Sequence, residues 1–237
     1  MSIYEIHLKE ISPISITKRV FGILYKTEIF IPSWTMWNAF VKLYALYDKS
    51  SGMVEYETAK KELKKIRLTN FYIFDRDKII NSFKDFDERK YISSDLKVAI
   101  DPLTNTSLEG AIYEREYLIA KEFVGWVKCE DENLKNFFST AIKNKIIFIG
   151  ADKNIGFGRV KIATVIDDRN DFIRIENNFV DKLENAEYAS DKKTYLLPPE
   201  VKDKDKDKVI KNKNYFPLVL RMWDEEKGSG MKIEKIY

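Results

Sequence analysis

The sequence predicts an α+β fold, and three observations carry that prediction. Short apolar runs alternate in and out as strands do, two stretches repeat apolar residues at three and four positions as helices do, and the regular segments follow the order strand, helix, strand, strand, helix, strand. The 237 residues allow one large or two small domains, and 44% hydrophobic with 33% charged residues is the balance of a soluble globular protein. No apolar run reaches the roughly 18 residues of a bilayer span, and no basic n-region precedes Met1-Ser2-Ile3-Tyr4, so a cytoplasmic protein without membrane contact is expected.

Residue counts exclude much enzymology. Cys129 is the sole cysteine and His7 the sole histidine, which removes internal disulfides, Cys-cluster zinc sites and paired-His mechanisms. No metal and no cofactor is expected. The 41 basic and 38 acidic residues leave a net charge of +3, so nucleic-acid binding would need a local basic surface.

Along the chain, Tyr4, Ile6 and Leu8 mark a first strand, and 23–31 reads as extended until Pro32 stops it. Ser33 then caps a helix to about Tyr47 in which Trp34, Trp37, Phe40, Val41, Tyr44 and Ala45 recur at helical spacing, burying both tryptophans. Region 49–95 is mixed, with a short polar helix at 58–65 and a strand at 67–74, and reads as an insertion. A strand at 96–100 meets the Asp101-Pro102 turn, and one long strand pattern runs over 111–129. The acids of Asp131-Glu132 open a second helix, ending near Asn144, with Leu134, Phe137, Phe138, Ala141 and Ile142 on one face. A run of Ile146-Ile147-Phe148-Ile149, a glycine-bearing loop over 150–158 and a strand over 159–166 complete a βαββαβ series. That order is the ferredoxin-like, or RRM-like, arrangement. Residues 1–170 are thus expected to form the core, with 171–237 as an extension packed on it; the extension holds a charged loop at 200–213, including the Lys202 to Lys208 alternation, and closes in a C-terminal hairpin.

The stretch with most chemical content is Gly150-Ala151-Asp152-Lys153-Asn154-Ile155-Gly156-Phe157-Gly158-Arg159-Val160. Glycines permit positive φ and close backbone approach, while Lys153 and Arg159 add charge, so amides and cations together suit a phosphate; a plain turning hairpin is the alternative. Phe157 follows Gly156 where a Walker A loop needs Lys-Ser or Lys-Thr, and Lys161 stands where a dinucleotide fingerprint needs its last glycine.

The Ile155-Gly156-Phe157-Gly158-Arg159-Val160 ending resembles the glycine-rich loop of the RAMP superfamily of CRISPR-associated proteins. Two further stretches agree. Ala99-Ile100-Asp101-Pro102-Leu103-Thr104-Asn105-Thr106, leading to Gly110-Ala111-Ile112-Tyr113-Glu114-Arg115-Glu116, is similar to the Ile-Asp-x-x-Thr, Gly-Ala-Leu-Phe, Glu signature of type III effector subunits. Phe30-Ile31-Pro32-Ser33-Trp34-Thr35-Met36-Trp37-Asn38-Ala39 is similar to their helix start, with Ser33 and Trp37-Asn38 departing from the usual glycine and basic-Gly pair. The three stretches cover roughly a quarter of the chain in the family's order.

The resemblance implies a ferredoxin-like RAMP fold and a place in a type III CRISPR RNA-guided interference complex for antiviral defence, with CRISPR RNA, other RAMP subunits and a large polymerase-domain subunit as partners. RNA contacts are expected at Gly150, Lys153, Asn154, Gly156, Phe157, Gly158 and Arg159, with Lys18 and Arg19. The family's target-cleaving subunits carry an aspartate before the helix start, and 11–31 holds none, so no catalytic residue is expected. Two alternatives stay open. One is a repeat-RNA-processing, metal-independent endoribonuclease using His7 as general acid or base; the other is an adaptor that touches only protein. Trp34 and Trp37 suit base stacking as well as core packing, and the Asp167-Asp168 pair a metal as well as a solvated strand end.

Overall fold

The computed structural model describes residues 2–47, 56–80, 85–167, 219–223 and 231–236. The first strand, β1 (Ser2–Glu10), lies at the centre of the larger sheet. Its alternation is the reason: Tyr4, Ile6 and Leu8 are buried among the helices, while Ile3, Glu5 and His7 turn to the opposite face. On one side β1 pairs antiparallel with β11 (Arg159–Asp167), on the other with β9 (Glu122–Cys129). Beyond β11 comes the edge strand β10 (Ile146–Phe148). Beyond β9 come β4 (Arg67–Leu68) and β5 (Tyr72–Asp75), both antiparallel to it, with β6 (Lys78–Ile80) paired on β5. Thus 49–95, read as an insertion, supplies pairing partners of β9. Between β4 and β5 the Phe71 ring lies over Gly125, where an added Cβ would sit 2.5 Å from the ring. The hairpin of β12 (Val219–Trp223) and β13 (Met231–Ile236) joins this sheet through Arg221 opposite Leu68. The expected charged loop at 200–213 lies outside the described residues.

A second, four-stranded sheet runs β2 (Thr17–Phe21), β3 (Leu24–Thr27), β8 (Ser107–Leu118), β7 (Ile92–Ile100). The single long strand expected over 111–129 is therefore two strands in two sheets. Residues 119–121 make the crossing without a glycine or proline. The Ala120 amide donates to Glu10 Oε2 at 2.8 Å and the Ile119 amide to the Tyr91 carbonyl at 2.9 Å, so tertiary hydrogen bonds break the strand where local chemistry does not.

Helix α1 (Ser33–Tyr47) has the predicted bounds and buries Met36, Trp37, Ala39, Phe40, Val41 and Tyr44. Its start differs in detail. The Pro32 carbonyl accepts from Thr35 and Met36, and the Ser33 amide donates to Asn70 Oδ1. Trp34 is 44% exposed, so only one of the two expected tryptophans is buried. Trp37 Nε1 donates to the Leu63 carbonyl at the end of α2 (Tyr56–Leu63). A four-residue helix, α3 (Glu88–Tyr91), precedes β7. Asp131 caps α4 (Glu132–Asn136), which continues into a π-helical turn, Phe137–Ala141. Leu134, Phe137, Phe138 and Ile142 are fully buried there, as the spacing predicts.

Candidate functional site

Segment 11–16, directly after β1, positions everything around the glycine loop. The Ile11 and Ser12 amides donate to the Arg159 carbonyl at 2.9 and 3.1 Å, and the Arg159 amide returns a bond to Ser12 Oγ at 3.0 Å. The Pro13 carbonyl accepts from Gly158 at 2.8 Å and the Ser15 carbonyl from Ala151 at 2.7 Å. Ile14 exchanges both backbone bonds with Leu118 of the second sheet. One extended segment thus ties the loop to both sheets.

This arrangement assigns different duties to the three glycines. Gly150 and Gly158 have φ of +77° and +72°, and a Cβ on them would lie 2.3 Å from the Ser15 carbonyl oxygen and 1.8 Å from that of Ile149. They serve close backbone approach, and the amides of Ala151 and Gly158 are spent on protein carbonyls. Gly156, at φ +98°, faces open space, and Asn154 and Ile155 beside it are exposed. At the tip the amides of Ile155 and Phe157 donate to the Asp152 carbonyl and that of Gly156 to the Lys153 carbonyl, so these loop amides do not converge on a phosphate, and what the tip presents is side chains.

The side chains divide in the same way. Asp152 turns inward and accepts from Lys97 Nζ at 2.7 Å, with Arg115 Nε 3.2 Å away as an ion pair without hydrogen-bond alignment. Lys97 also sits 4.1 Å over the Phe157 ring, whose edge meets Tyr117 at a centroid distance of 5.4 Å. Phe157, expected at the RNA, is half-buried against these two side chains. Arg115 lies over Tyr25 and Tyr113 at 5.0 and 5.5 Å. Lys153 is half-buried, and its ammonium is held below the usual lysine value first by burial and then by the nearby charge of Lys42 on α1. Among the described residues neither Lys42 nor Lys153 makes an ion pair. Arg159 is exposed on β11. Lys18 and Arg19 lie on β2, in the other sheet, with the Arg19 guanidinium 4.6 Å over Phe21. Lys42, Lys97 and Arg115 escaped the sequence reading because each is an ordinary cation in a helix or strand, brought to the loop only by tertiary pairing.

His7 is held on both sides. Its Nδ1 lies 2.6 Å from Glu122 and its Nε2 2.7 Å from Glu5, and the Glu5 hydrogen bond, followed by Glu122, raises its pKa against the opposing effect of burial. Neither nitrogen is open to a substrate proton. Asp101 makes the expected Asx turn, accepting from the Leu103 amide at 2.8 Å. Among the described residues no three His, Cys, Asp or Glu side chains gather as a metal site, and no helix is long and apolar enough to cross a membrane.

A family model described as the RAMP superfamily matches residues 11–161. No curated protein matches. Among solved structures, a chain of the type III-B Cmr-beta complex bound to cognate target RNA and AMPPnP aligns with a TM-score of 0.48 at 16% identity, over 68% of this chain and 62% of that one. A chain of the same complex with cognate target RNA alone aligns at 0.46 and 15% identity, over 68% and 63%. A chain of the apo complex aligns at 0.45 and 8% identity, over 71% and 98%. The protein thus spans somewhat under two thirds of the first two chains' length.

Proposed function

The chain belongs to the RAMP superfamily, and from that premise we propose that it is a noncatalytic RNA-binding subunit of a type III CRISPR RNA-guided interference complex. In this reading residues 1–170 are a ferredoxin-like core and 171–237 an extension on it. The strand order β11-β1-β9-β4, each neighbour antiparallel, with α1 between β1 and β4 in sequence and α4 between β9 and β11, supports the split βαβ arrangement. The guide RNA, neighbouring RAMP subunits and a polymerase-domain subunit are the partners.

The observation that carries the RNA assignment is the charge at the loop tip. Lys153 is half-buried there, its ammonium held down first by burial and then by the charge of Lys42 on α1, and neither lysine makes an ion pair among the described residues. An anion at that point removes the repulsion. Asn154 and Gly156 beside it are exposed, so a ligand can approach, and a phosphodiester meets this requirement at any base sequence. The noncatalytic assignment is supported by the absence of aspartate in 11–31 and by the double engagement of His7.

Filter binding of guide RNA by the assembled complex, carrying Lys153→Ala/Arg159→Ala and titrated across ionic strengths, tests the proposal. Loss of two phosphate contacts lowers the affinity and reduces the slope of log K against log salt by about 1.4. An unchanged affinity and slope overturn the loop assignment. A specific cut in repeat RNA that disappears with His7→Ala would replace it with the processing-enzyme reading.

A further inference from the structure

The loop accounts for Lys153 but leaves an unexplained surface on the strand that follows it. Antiparallel register places Phe148 opposite Arg159, Ile146 opposite Lys161, and Lys161 opposite Lys9. Residues directly opposite in an antiparallel pair share a face with Cβ atoms about 5 Å apart. Two neighbouring rows therefore lie on one face, Phe148–Arg159 across β10 and β11 and Ile146–Lys161–Lys9 across β10, β11 and β1. Their alternates, Ile147, Val160, Ile162 and Leu8, are buried in the core. Phe148 is 49% exposed and Ile146 46% exposed, on a strand that forms the sheet's edge.

Charge on the outer part of this face is positive. Lys9, Arg159 and Lys161 make no ion pair among the described residues. The nearest acid in register is Glu122, opposite Lys9, and its carboxylate is committed to His7 at 2.6 Å. On the far side of that pair the same sheet face is sealed by Ile3, Phe30, Tyr72, Val124 and Trp126, so the accessible part ends at His7. What remains is a strip with an exposed ring and three cations in regular register, of which Lys9 faces Glu122 while Arg159 and Lys161 have no acid opposite them. Apolar contact alone would suit many partners. The spaced cations select a polyanion, and the ring selects one carrying flat bases.

We propose that this strip is a second binding surface for single-stranded RNA, with Phe148 stacking a base and Lys9, Arg159 and Lys161 holding adjacent phosphates. It rests on the reading of the chain as an RNA-binding subunit and shares Arg159 with the loop assignment, but it does not rest on Lys153 at the tip. The two rows give stacking and phosphate neutralisation to different residues, and these have different salt signatures.

The full-length chain is titrated with a fluorescent oligouridylate at several salt concentrations, comparing Phe148→Ala, Phe148→Trp, Lys9→Ala/Lys161→Ala and Lys153→Ala. Phe148→Ala is expected to weaken binding about tenfold at unchanged salt slope, and Phe148→Trp to retain it. Lys9→Ala/Lys161→Ala is expected to lower the slope by about 1.4. Full affinity in Phe148→Ala together with an unchanged slope in the double variant overturns the proposal. If Lys153→Ala alone weakens binding, the tip reading survives and the strip fails. If the wild-type chain binds no RNA, both fail. If Phe148→Ala disrupts association with another subunit at unchanged RNA affinity, the strip is a protein interface and the proposal is wrong.

Discussion

The stem and the tip of the glycine loop use the same residue type at similar torsions for different purposes. At the stem, Gly150 and Gly158 let backbone meet backbone; at the tip, Gly156 adopts φ +98° with nothing within 4 Å of the missing side chain. The stem's amides are consumed by segment 11–16, and its one carboxylate, Asp152, by Lys97 and Arg115. The tip keeps a half-buried lysine beside another and has no acid among its ion pairs. A glycine-rich loop is therefore not a cradle by virtue of its glycines. Here two of them build the support, and the proposed binding rests on side chains at the tip and on the strand beyond it.

The largest effect expected from breaking this contrast is that of Gly158→Ala. A Cβ 1.8 Å from the Ile149 carbonyl oxygen meets backbone that no rotamer change can relieve, and the φ of +72° adds strain. A loss of about 3 kcal/mol or more is expected, seen as a fall in soluble yield and in unfolding midpoint; Gly150→Ala follows, with its contact at 2.3 Å. Wild-type stability in either variant would mean that the stem is not closed as described. Next comes Asp152→Ala. Lys97 and Arg115 have side chains only 13% and 12% exposed, and removing their shared carboxylate leaves two largely buried cations, at a cost of about 3 kcal/mol. Adding Lys97→Met should restore part of that stability in a double-mutant cycle; strict additivity would show that the pair is not coupled.

How far the sequence announces this arrangement depends on the range of the interactions. Helix α1 is legible to its bounds because its buried positions repeat at helical spacing, and the strand alternation of β1 is legible for the same reason. The loop is legible as a place, from its glycines and cations. What is not legible is which glycine does what, because Gly150 and Gly158 are distinguished from Gly156 by the Ser15 and Ile149 carbonyls that approach them. Lys97 reaches Asp152 from 55 positions away, and only the pairing of β7 with β8 beside the loop makes that meeting. The division of 111–129 into two strands belongs to the same class, since Glu10 and Tyr91 cause it from a distance. Phe148, Lys161 and Lys9 form a strip only through register, which no single segment contains.

A milder effect, at the foot of the stem, concerns pH. Burial pushes the Glu10 carboxyl up to about 7, against the opposing hydrogen bond from Ala120. A carboxyl with a raised folded pKa contributes most stability below its unfolded value near 4.5, and that contribution is lost as pH rises through about 7. Glu10→Gln keeps an acceptor for the Ala120 amide and removes the titration. Its unfolding midpoint should therefore decline less than that of wild type between pH 5 and 7, and parallel curves would mean that Glu10 is solvated.

The smallest effect is expected at the tip. Gly156→Ala introduces no contact within 4 Å, so its cost is the torsional one of an L-residue at positive φ, about 1 kcal/mol. The unfolding midpoint should fall by only a few degrees, since about 1 kcal/mol moves a domain of this size by roughly 2–4 °C. RNA affinity should stay within about twofold if side chains rather than the Gly156 backbone make the contact. A tenfold loss of affinity at near-normal stability would place the phosphate against the backbone at Gly156 itself. The tip glycine would then be needed for close approach, as the stem glycines are, but to the ligand instead of to the protein.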